Sequence, residues 1–169
     1  MFSFILVQMF PGVIIIVPYF ILMKTLGLLN TSIGLILAYS VTALPLCVWM
    51  LKGYFDTIPR ELEEAARIDG CSQFQVFWKI IIPLSLPAIA VTSLFSFLAA
   101  WNEFLLAFML LDDPSKFTIT RGVAMLDSSE VPRQHLMAGS VVATIPVMLM
   151  FLFLEKYLRQ GLTAGSIKG

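Results

Sequence analysis

The chain has 169 residues, of which 59% are hydrophobic and 13% are charged, whereas soluble globular domains contain about 45–50% and about 25% respectively. Basic and acidic residues balance at 11 each, which excludes a strongly basic nucleic-acid-binding surface. The high hydrophobicity also excludes a disordered chain. Two cysteines and one histidine are too few for a disulfide framework or a Cys/His zinc site. The composition therefore indicates an integral membrane protein.

Four apolar stretches are long enough to cross a bilayer, whose core of about 30 Å requires about 20 helical residues. The predicted spans are residues 2–23, 33–51, 87–111 and 136–154. Pro83 and Pro87 divide the third apolar run, because proline lacks a backbone donor and restricts the residue before it. The first stretch lacks a basic flank and exceeds a signal-peptide core of about 7–15 residues, so we expect a retained span. The prediction is an all-α membrane protein, a single transmembrane domain over residues 1–169 built as a bundle of about four helices.

The basic residues predict the orientation of this bundle. Four crossings place both termini and the central loop on one side, with seven lysine and arginine residues against four on the other. Cytoplasmic loops carry an excess of positive charge, so we expect the central loop (residues 56–82) and the tail (residues 155–169) to be cytoplasmic. Residues 112–135 would then form an outer loop.

The central loop is patterned as two helices joined by a glycine turn. Pro59 suits the first turn of a helix, and Gly70 stands where a C-cap glycine belongs. Ser72 and Gln75 have the spacing of a capping box for a second helix that leads into the membrane.

The first loop helix has two features of an interface. Ala65 and Ala66 would leave a low surface for close packing, and Asp69 in the last turn opposes the helix dipole. An unfavourably placed charge with no compensating contact within the loop indicates that a partner protein stabilises it. The alternative is that Glu64 only pairs with an arginine one turn away, which is worth about 0.2–0.5 kcal/mol.

The order of residues in this loop is specific. It contains the run Glu64-Ala65-Ala66-Arg67-Ile68-Asp69-Gly70, followed by Phe77, Ile80, Pro83 and Pro87. This pattern resembles the EAA loop of binding-protein-dependent ABC importer permeases. Four further motifs are similar to the MalG-like carbohydrate branch: Gly27–Thr31, Trp101–Phe104, Met137–Ser140 and Gly161–Gly169. Such permeases usually have six membrane helices and this chain resembles the last four, so we also expect a truncated chain or a fragment.

The resemblance implies the ABC type I importer permease fold, with a helix-turn-helix coupling loop that docks on a cytoplasmic ATPase. It implies that Glu64 pairs with a basic ATPase residue and that Ala65 and Ala66 permit close docking. Gly70 would supply the turn, and Asp69 would reinforce it or meet the partner.

The resemblance also implies the assembly. The partners would be an ABC ATPase dimer, a second homologous permease, an extracytoplasmic solute-binding protein, the sugar substrate and membrane lipid, with no nucleic acid. Gly165, Lys168 and Gly169 in the tail would contact the ATPase pair, the alternative being a frayed terminus. The outer loop would contact the binding protein or form a solvated connection. The chain lacks a Gly-x-x-x-x-Gly-Lys-Ser/Thr phosphate loop, so ATP and Mg would bind the partner ATPase, and we expect no cofactor or metal here.

Asn102 and Glu103 are candidate lining residues of a translocation path, since an intramembrane acid is a functional candidate by default. Helical spacing places Glu103 on a small, polar stripe that we expect to face the bundle, and Trp101 on a bulky stripe that we expect to face lipid. The alternative for Glu103 is a structural bond to Asn102 or to a neighbouring helix.

The function implied is a permease subunit of an ATP-driven importer for a sugar or related carbohydrate, which couples ATPase motion to alternating access. The alternatives are a non-transporting fragment, or an importer of a non-sugar polyol or a phosphorylated polyol. A membrane enzyme and a passive channel are rivals of other classes. No nucleophile–base set accompanies the carboxylates, and a channel would not need a structured central loop.

Overall fold

The computed structural model describes residues 12–128 and 130–164, and it describes side chains for residues 14–128 and 130–157. All regular structure within these residues is helical. The helices are α1 (Gly12–Thr25), α2 (Ser32–Phe55), α3 (Arg60–Ile68), α4 (Gln73–Leu84), α5 (Leu86–Trp101), α6 (Leu105–Leu110), α7 (Ile119–Met125) and α8 (Arg133–Ala164). A 3₁₀ turn, Pro114–Lys116, precedes α7, and α4 contains a π turn at Phe77–Ile81. The predicted all-helical fold is confirmed.

Two helices of the described chain are each long and apolar enough to cross a membrane, namely α2 and the Arg133–Tyr157 part of α8. They contain the predicted spans 33–51 and 136–154. Helices α4 and α5 together qualify as a third span, although their axes are bent by 72° at the break between them. The bend follows from Pro87, which has no N–H to donate to the carbonyl of Pro83. Helix α1 is apolar but shorter, and the beginning of the predicted span 2–23 lies outside the described residues.

The third predicted span is not one helix. It was expected over residues 87–111, but α5 ends at Trp101 and α6 begins at Leu105. Asn102 turns back on α5, since its Nδ2 donates to the carbonyl of Leu98 at 2.9 Å, and such side chains compete with helical bonding. Glu103 accepts hydrogen bonds from the first turn of α6. Polar side chains therefore end one helix and start another inside an apolar stretch.

The chain forms two compact units. Among the described residues, one contains 12–45 together with Ser96–Met150, and its core joins α1, α2 and α6. The other contains Leu46–Phe95 together with residues 151–164, and its core lies in the central loop. The single domain over 1–169 stays a prediction. Helix α8 reaches Ala164, so residues 155–164 of the predicted tail continue the helix, and the tail residues Gly165, Lys168 and Gly169 lie outside the described residues.

Candidate coupling loop and outer helix break

Helix α3 has the ends that the sequence indicates, with one difference. Pro59 is the N-cap residue, with φ −60° and ψ 131°, and does not lie within the first turn as expected. Gly70 has a φ of +86°, a left-handed conformation that glycine adopts without steric cost. The Cys71 N–H donates to the Ala66 carbonyl and the Gly70 N–H donates to the Arg67 carbonyl, each at 3.0 Å. These two bonds form a Schellman motif, so Gly70 supplies the turn as predicted.

The capping box of the second loop helix is confirmed. The Gln75 N–H donates to Ser72 Oγ at 3.3 Å, and the Ser72 N–H donates to Gln75 Oε1 at 2.8 Å. The two bonds satisfy backbone donors that the first turn of α4 leaves without helical partners.

The two alanines of the loop motif lie on different faces of α3. Ala66 is only 5% exposed and packs with Val76 and Ile81 of α4, whereas Ala65 is exposed. Ala66 therefore belongs to the core of the loop and not to the low docking surface that we expected. Its small side chain allows α3 and α4 to approach each other.

The outward face of α3 carries Glu61, Glu64, Ala65 and Ile68, since residues three and four apart share one side of a helix. All four side chains are exposed. Ile68 is 86% exposed, the largest fraction among the large hydrophobic residues of the described chain. Ile68 was not identified from the sequence as an interface residue. Its position one turn after Glu64, on the side of the helix opposite Ala66, could have indicated that it is exposed. We call these four residues the α3 outward face.

Glu64 makes no ion pair within the described part of the chain. Arg67 instead lies 4.0 Å from Glu63, and both side chains are about half exposed, so that contact adds little to stability. The alternative in which Glu64 only pairs with an arginine of its own helix is therefore not the arrangement found. Asp69 is the exposed C-cap residue, beside the turn at Gly70.

Glu103 has a structural role at the helix break. Its Oε1 accepts from the Leu106 N–H at 2.8 Å, and its Oε2 accepts from the Ala107 N–H at 3.2 Å. A negative charge is also favourable at the N-terminal end of a helix. The Tyr39 hydroxyl donates to the Glu103 backbone carbonyl at 3.4 Å. These contacts favour the structural alternative for Glu103, and the lining role of Asn102 and Glu103 stays a prediction.

Trp101 faces a neighbouring helix, and the expectation that it faces lipid is wrong. Its Nε1 donates to the Ala143 carbonyl of α8 at 3.0 Å. Its own carbonyl accepts from the Thr120 hydroxyl of α7 at 2.5 Å. A buried indole usually finds a partner for its N–H, and the break makes the carbonyl of Trp101 available to α7.

Arg121, in the predicted outer loop, is buried, which its position between predicted spans does not indicate. Only 8% of it is exposed, and its Nη1 donates to the carbonyls of Ala107 and Phe108 at 2.9 and 2.8 Å and also to that of Leu111. The guanidinium lies 3.9 Å from the ring centre of Phe117, a cation–π distance. A positive charge at the C-terminal end of α6 complements the helix dipole, as Glu103 does at the other end.

Asn30 binds the same end of α6 from the turn between α1 and α2. Its N–H donates to the Leu110 carbonyl at 2.7 Å, and its Oδ1 accepts from the Asp112 and Asp113 N–H groups at 3.1 and 3.0 Å. Lys116 Nζ donates to the Asn30 carbonyl at 2.8 Å. The φ of Asn30 is +56°, a conformation in which asparagine is enriched. We call Asn30, Lys116 and Arg121 the outer clamp.

Asp113 is stabilised as a carboxylate beside this clamp. Its Oδ1 accepts from the Ser115 hydroxyl at 2.7 Å and from the Ser115 N–H at 3.0 Å. These bonds, with Lys116 at 3.8 Å, hold the pKa of Asp113 below its usual value.

Together, the fold and these sites define a class of protein: a helical membrane protein that has an exposed helix–turn–helix loop and, in its other compact unit, a helix broken at residues 102–104. Among residues 12–128 and 130–164, no group of three or more His, Cys, Asp or Glu is placed to hold a metal. The chain belongs to the family of binding-protein-dependent transport system inner membrane components, whose sequence pattern matches residues 1–164.

Three relatives illustrate the family membership. The chain is 40% identical over 164 residues to the trehalose/maltose transport system permease protein MalG of Thermococcus litoralis, covering 96% of this chain and 59% of that protein. It is 38% identical over 168 residues to the inner membrane ABC transporter permease protein YcjP of Escherichia coli K12, covering 99% and 60% respectively. A crystal structure of a bacterial ABC transporter involved in the import of the acidic polysaccharide alginate matches with a TM-score of 0.64 and 27% identity, over 84% of this chain and 55% of that one. The chain thus spans somewhat over half the length of these relatives.

Proposed function

We propose that this chain is a membrane-spanning subunit of an ATP-driven importer for a sugar or related carbohydrate. In this proposal the central loop lies in the cytoplasm and α3 docks on a partner ATPase, which binds ATP and Mg. Closure of the ATPase pair would move α3, and that motion would switch the membrane helices between inward and outward access. A second permease subunit and an extracytoplasmic binding protein complete the assembly.

The observation that carries this proposal is the α3 outward face. An apolar side chain, Ile68, shares that face with the small Ala65 and with Glu64, whose carboxylate makes no ion pair within the described residues. Apolar area at the centre and charge beside it are the ingredients of a protein interface. Exposing the large aliphatic side chain of Ile68 to water is unfavourable, and burying it in a partner protein would stabilise the complex by about 1.5–3 kcal/mol. The face opposite is already occupied by α4.

The family membership supports the transport role, and the relatives support a carbohydrate. The Thermococcus relative is named for trehalose and maltose, and the structural relative imports an acidic polysaccharide. We therefore propose an oligosaccharide or polysaccharide-derived substrate in preference to a polyol. The alternative hypothesis of a membrane enzyme has less support, because both carboxylate oxygens of Glu103 already accept hydrogen bonds from backbone N–H groups of α6.

The test is a charge reversal on the outward face with a matched control on the same helix. Glu64→Lys and Glu63→Lys make the same chemical change at adjacent positions, about 100° apart around α3. The intact transporter is captured from its native membrane through a tag on this chain, and the ATPase recovered with it is quantified. We expect Glu64→Lys to lower ATPase recovery about tenfold or more, as for a hydrogen bond to a charged group, and Glu63→Lys to leave it near the wild-type level.

Two results would contradict the proposal. Equal recovery from both variants would show that the outward face does not hold the ATPase. If the wild-type chain is present in the membranes and no ATPase is recovered with it, the proposal that this chain assembles with an ATPase is wrong.

A further inference from the structure

Tyr54 joins the two helices that leave the central loop. It lies in the last turn of α2, and its hydroxyl donates to the carbonyl of Leu84 at 3.0 Å across 30 residues of sequence. Leu84 is the last residue of α4, directly before the bend. A carbonyl at the end of a helix has no helical partner, so the tyrosine hydroxyl supplies the hydrogen bond that the Leu84 carbonyl would otherwise lack.

The same end of α2 also contacts the loop through apolar packing. Phe55, the neighbour of Tyr54, packs against the core that Ala66, Val76 and Ile81 form between α3 and α4. Directly after Phe55, the N–H of Asp56 donates to the Lys52 carbonyl at 3.0 Å. Helix α2 therefore continues into the loop without a loose connection, and α2, α3 and α4 share one core.

The bend is the point at which a movement of α4 would be transmitted or lost. The axes of α4 and α5 differ by 72°, and the π turn at Phe77–Ile81 precedes the bend. Ser85 at the bend is fully buried, and its hydroxyl donates to the Ile81 carbonyl at 2.7 Å. A bent junction between two short helices can act as a hinge, unless another element holds it.

We propose that Tyr54 is a positioning residue that holds this junction to α2, so that a displacement of α3 reaches α2 and the start of α5 together. The proposal rests on the proposed function, because it assumes that an ATPase displaces α3. It adds a residue outside the loop motif to the mechanical path. Loss of the hydroxyl would leave α3 able to dock and move, while the junction absorbs part of the movement.

Tyr54→Phe tests this with the loss of one oxygen atom. The intact transporter with its ATPase is placed in lipid nanodiscs, and hydrogen exchange is followed by mass spectrometry before and after trapping with ATP, Mg and orthovanadate. In the wild type, trapping should change exchange in α3, in the C-terminal half of α2 and at the start of α5. In Tyr54→Phe the α3 response should remain, whereas the responses of α2 and α5 should shrink about fivefold, as expected for one neutral hydrogen bond.

The matched control is Tyr157→Phe in α8, which removes a hydroxyl that makes no hydrogen bond within the described residues and keeps the ring beside Lys156. Wild-type responses in this control, with reduced α2 and α5 responses in Tyr54→Phe, support the proposal. Wild-type responses in Tyr54→Phe, or loss of its α3 response, overturn the positioning role while the proposed function stands. No response in α3 of the wild-type complex would overturn the proposed function as well.

Discussion

Replacement of Asn30 is the sharpest test of the outer clamp, because three variants separate its two contributions. Alanine removes the side-chain acceptor and also disfavours the φ of +56°. Glycine removes the acceptor but tolerates the backbone conformation. Aspartate keeps an acceptor oxygen for the N–H groups of Asp112 and Asp113, which lie 3.1 and 3.0 Å from Asn30 Oδ1.

The magnitudes follow from these contacts. Two hydrogen bonds at about 0.5–1.5 kcal/mol each give a loss of about 1–3 kcal/mol for Asn30→Gly. Asn30→Ala adds the cost of a left-handed conformation, about 1–2 kcal/mol, for a total of about 2–5 kcal/mol. Asn30→Asp should lose the least, because both acceptor bonds can form. The expected order of destabilisation is therefore alanine, glycine, aspartate.

Hydrogen exchange at single-residue resolution reads this out at the amides concerned. In Asn30→Gly, exchange of the Asp112 and Asp113 amides should accelerate about 5- to 150-fold, the equivalent of about 1–3 kcal/mol. Amides in the middle of α8 serve as the internal reference and should not change. Unchanged exchange at both aspartates in the alanine and glycine variants would refute the clamp. A glycine variant less stable than the alanine variant would refute the left-handed conformation.

Two further predictions concern the loop turn and the outer loop. Gly70→Ala should destabilise the chain by about 1–2 kcal/mol. The φ of +86° is the only cause, because an added Cβ meets no atom within 4 Å. The thermal unfolding midpoint measures the loss, and the control Gly53→Ala, at a helical position with equal free space, should not lower that midpoint. The folded-state pKa of Asp113 is lowered by Ser115, so its carboxylate stabilises the protein above the ordinary carboxyl pKa of about 3.9. That contribution disappears as the pH falls through the lowered value, so the difference in unfolding midpoint between wild type and Asp113→Asn should be constant from pH 7 to about 5 and shrink as the pH falls further. A difference that is undiminished at the lowest pH would contradict the assignment.

The features predicted correctly from the sequence are those set by neighbouring residues. Gly70 ends α3 because only its own backbone conformation is required. Ser72 and Gln75 cap α4 through bonds across three residues, and the break between α4 and α5 falls between Pro83 and Pro87. Each of these signals is local, so no knowledge of packing was needed.

The features that the sequence did not predict depend on distant partners. The break at Asn102 lies within residues 88–111, which contain no proline or glycine, and α6 is held by Asn30 and Arg121 from other parts of the chain. Ala65 and Ala66 were equivalent in the sequence, and only the packing of α3 on Val76 decides which is buried. The role of Tyr54 has no signal in the sequence, because its acceptor lies 30 residues away.

The most direct test of the central claim is a photo-crosslink from Ile68, the most exposed aliphatic side chain of the loop. A photoreactive amino acid at position 68 is irradiated in the native membrane, and the products are identified by mass spectrometry, with position 125, an exposed methionine of the predicted outer loop, as the control. The proposed coupling role predicts that position 68 crosslinks to an ABC ATPase and that position 125 does not. Crosslinks from position 68 to lipid or to an extracytoplasmic protein would contradict it, since the loop would then lie on the wrong surface.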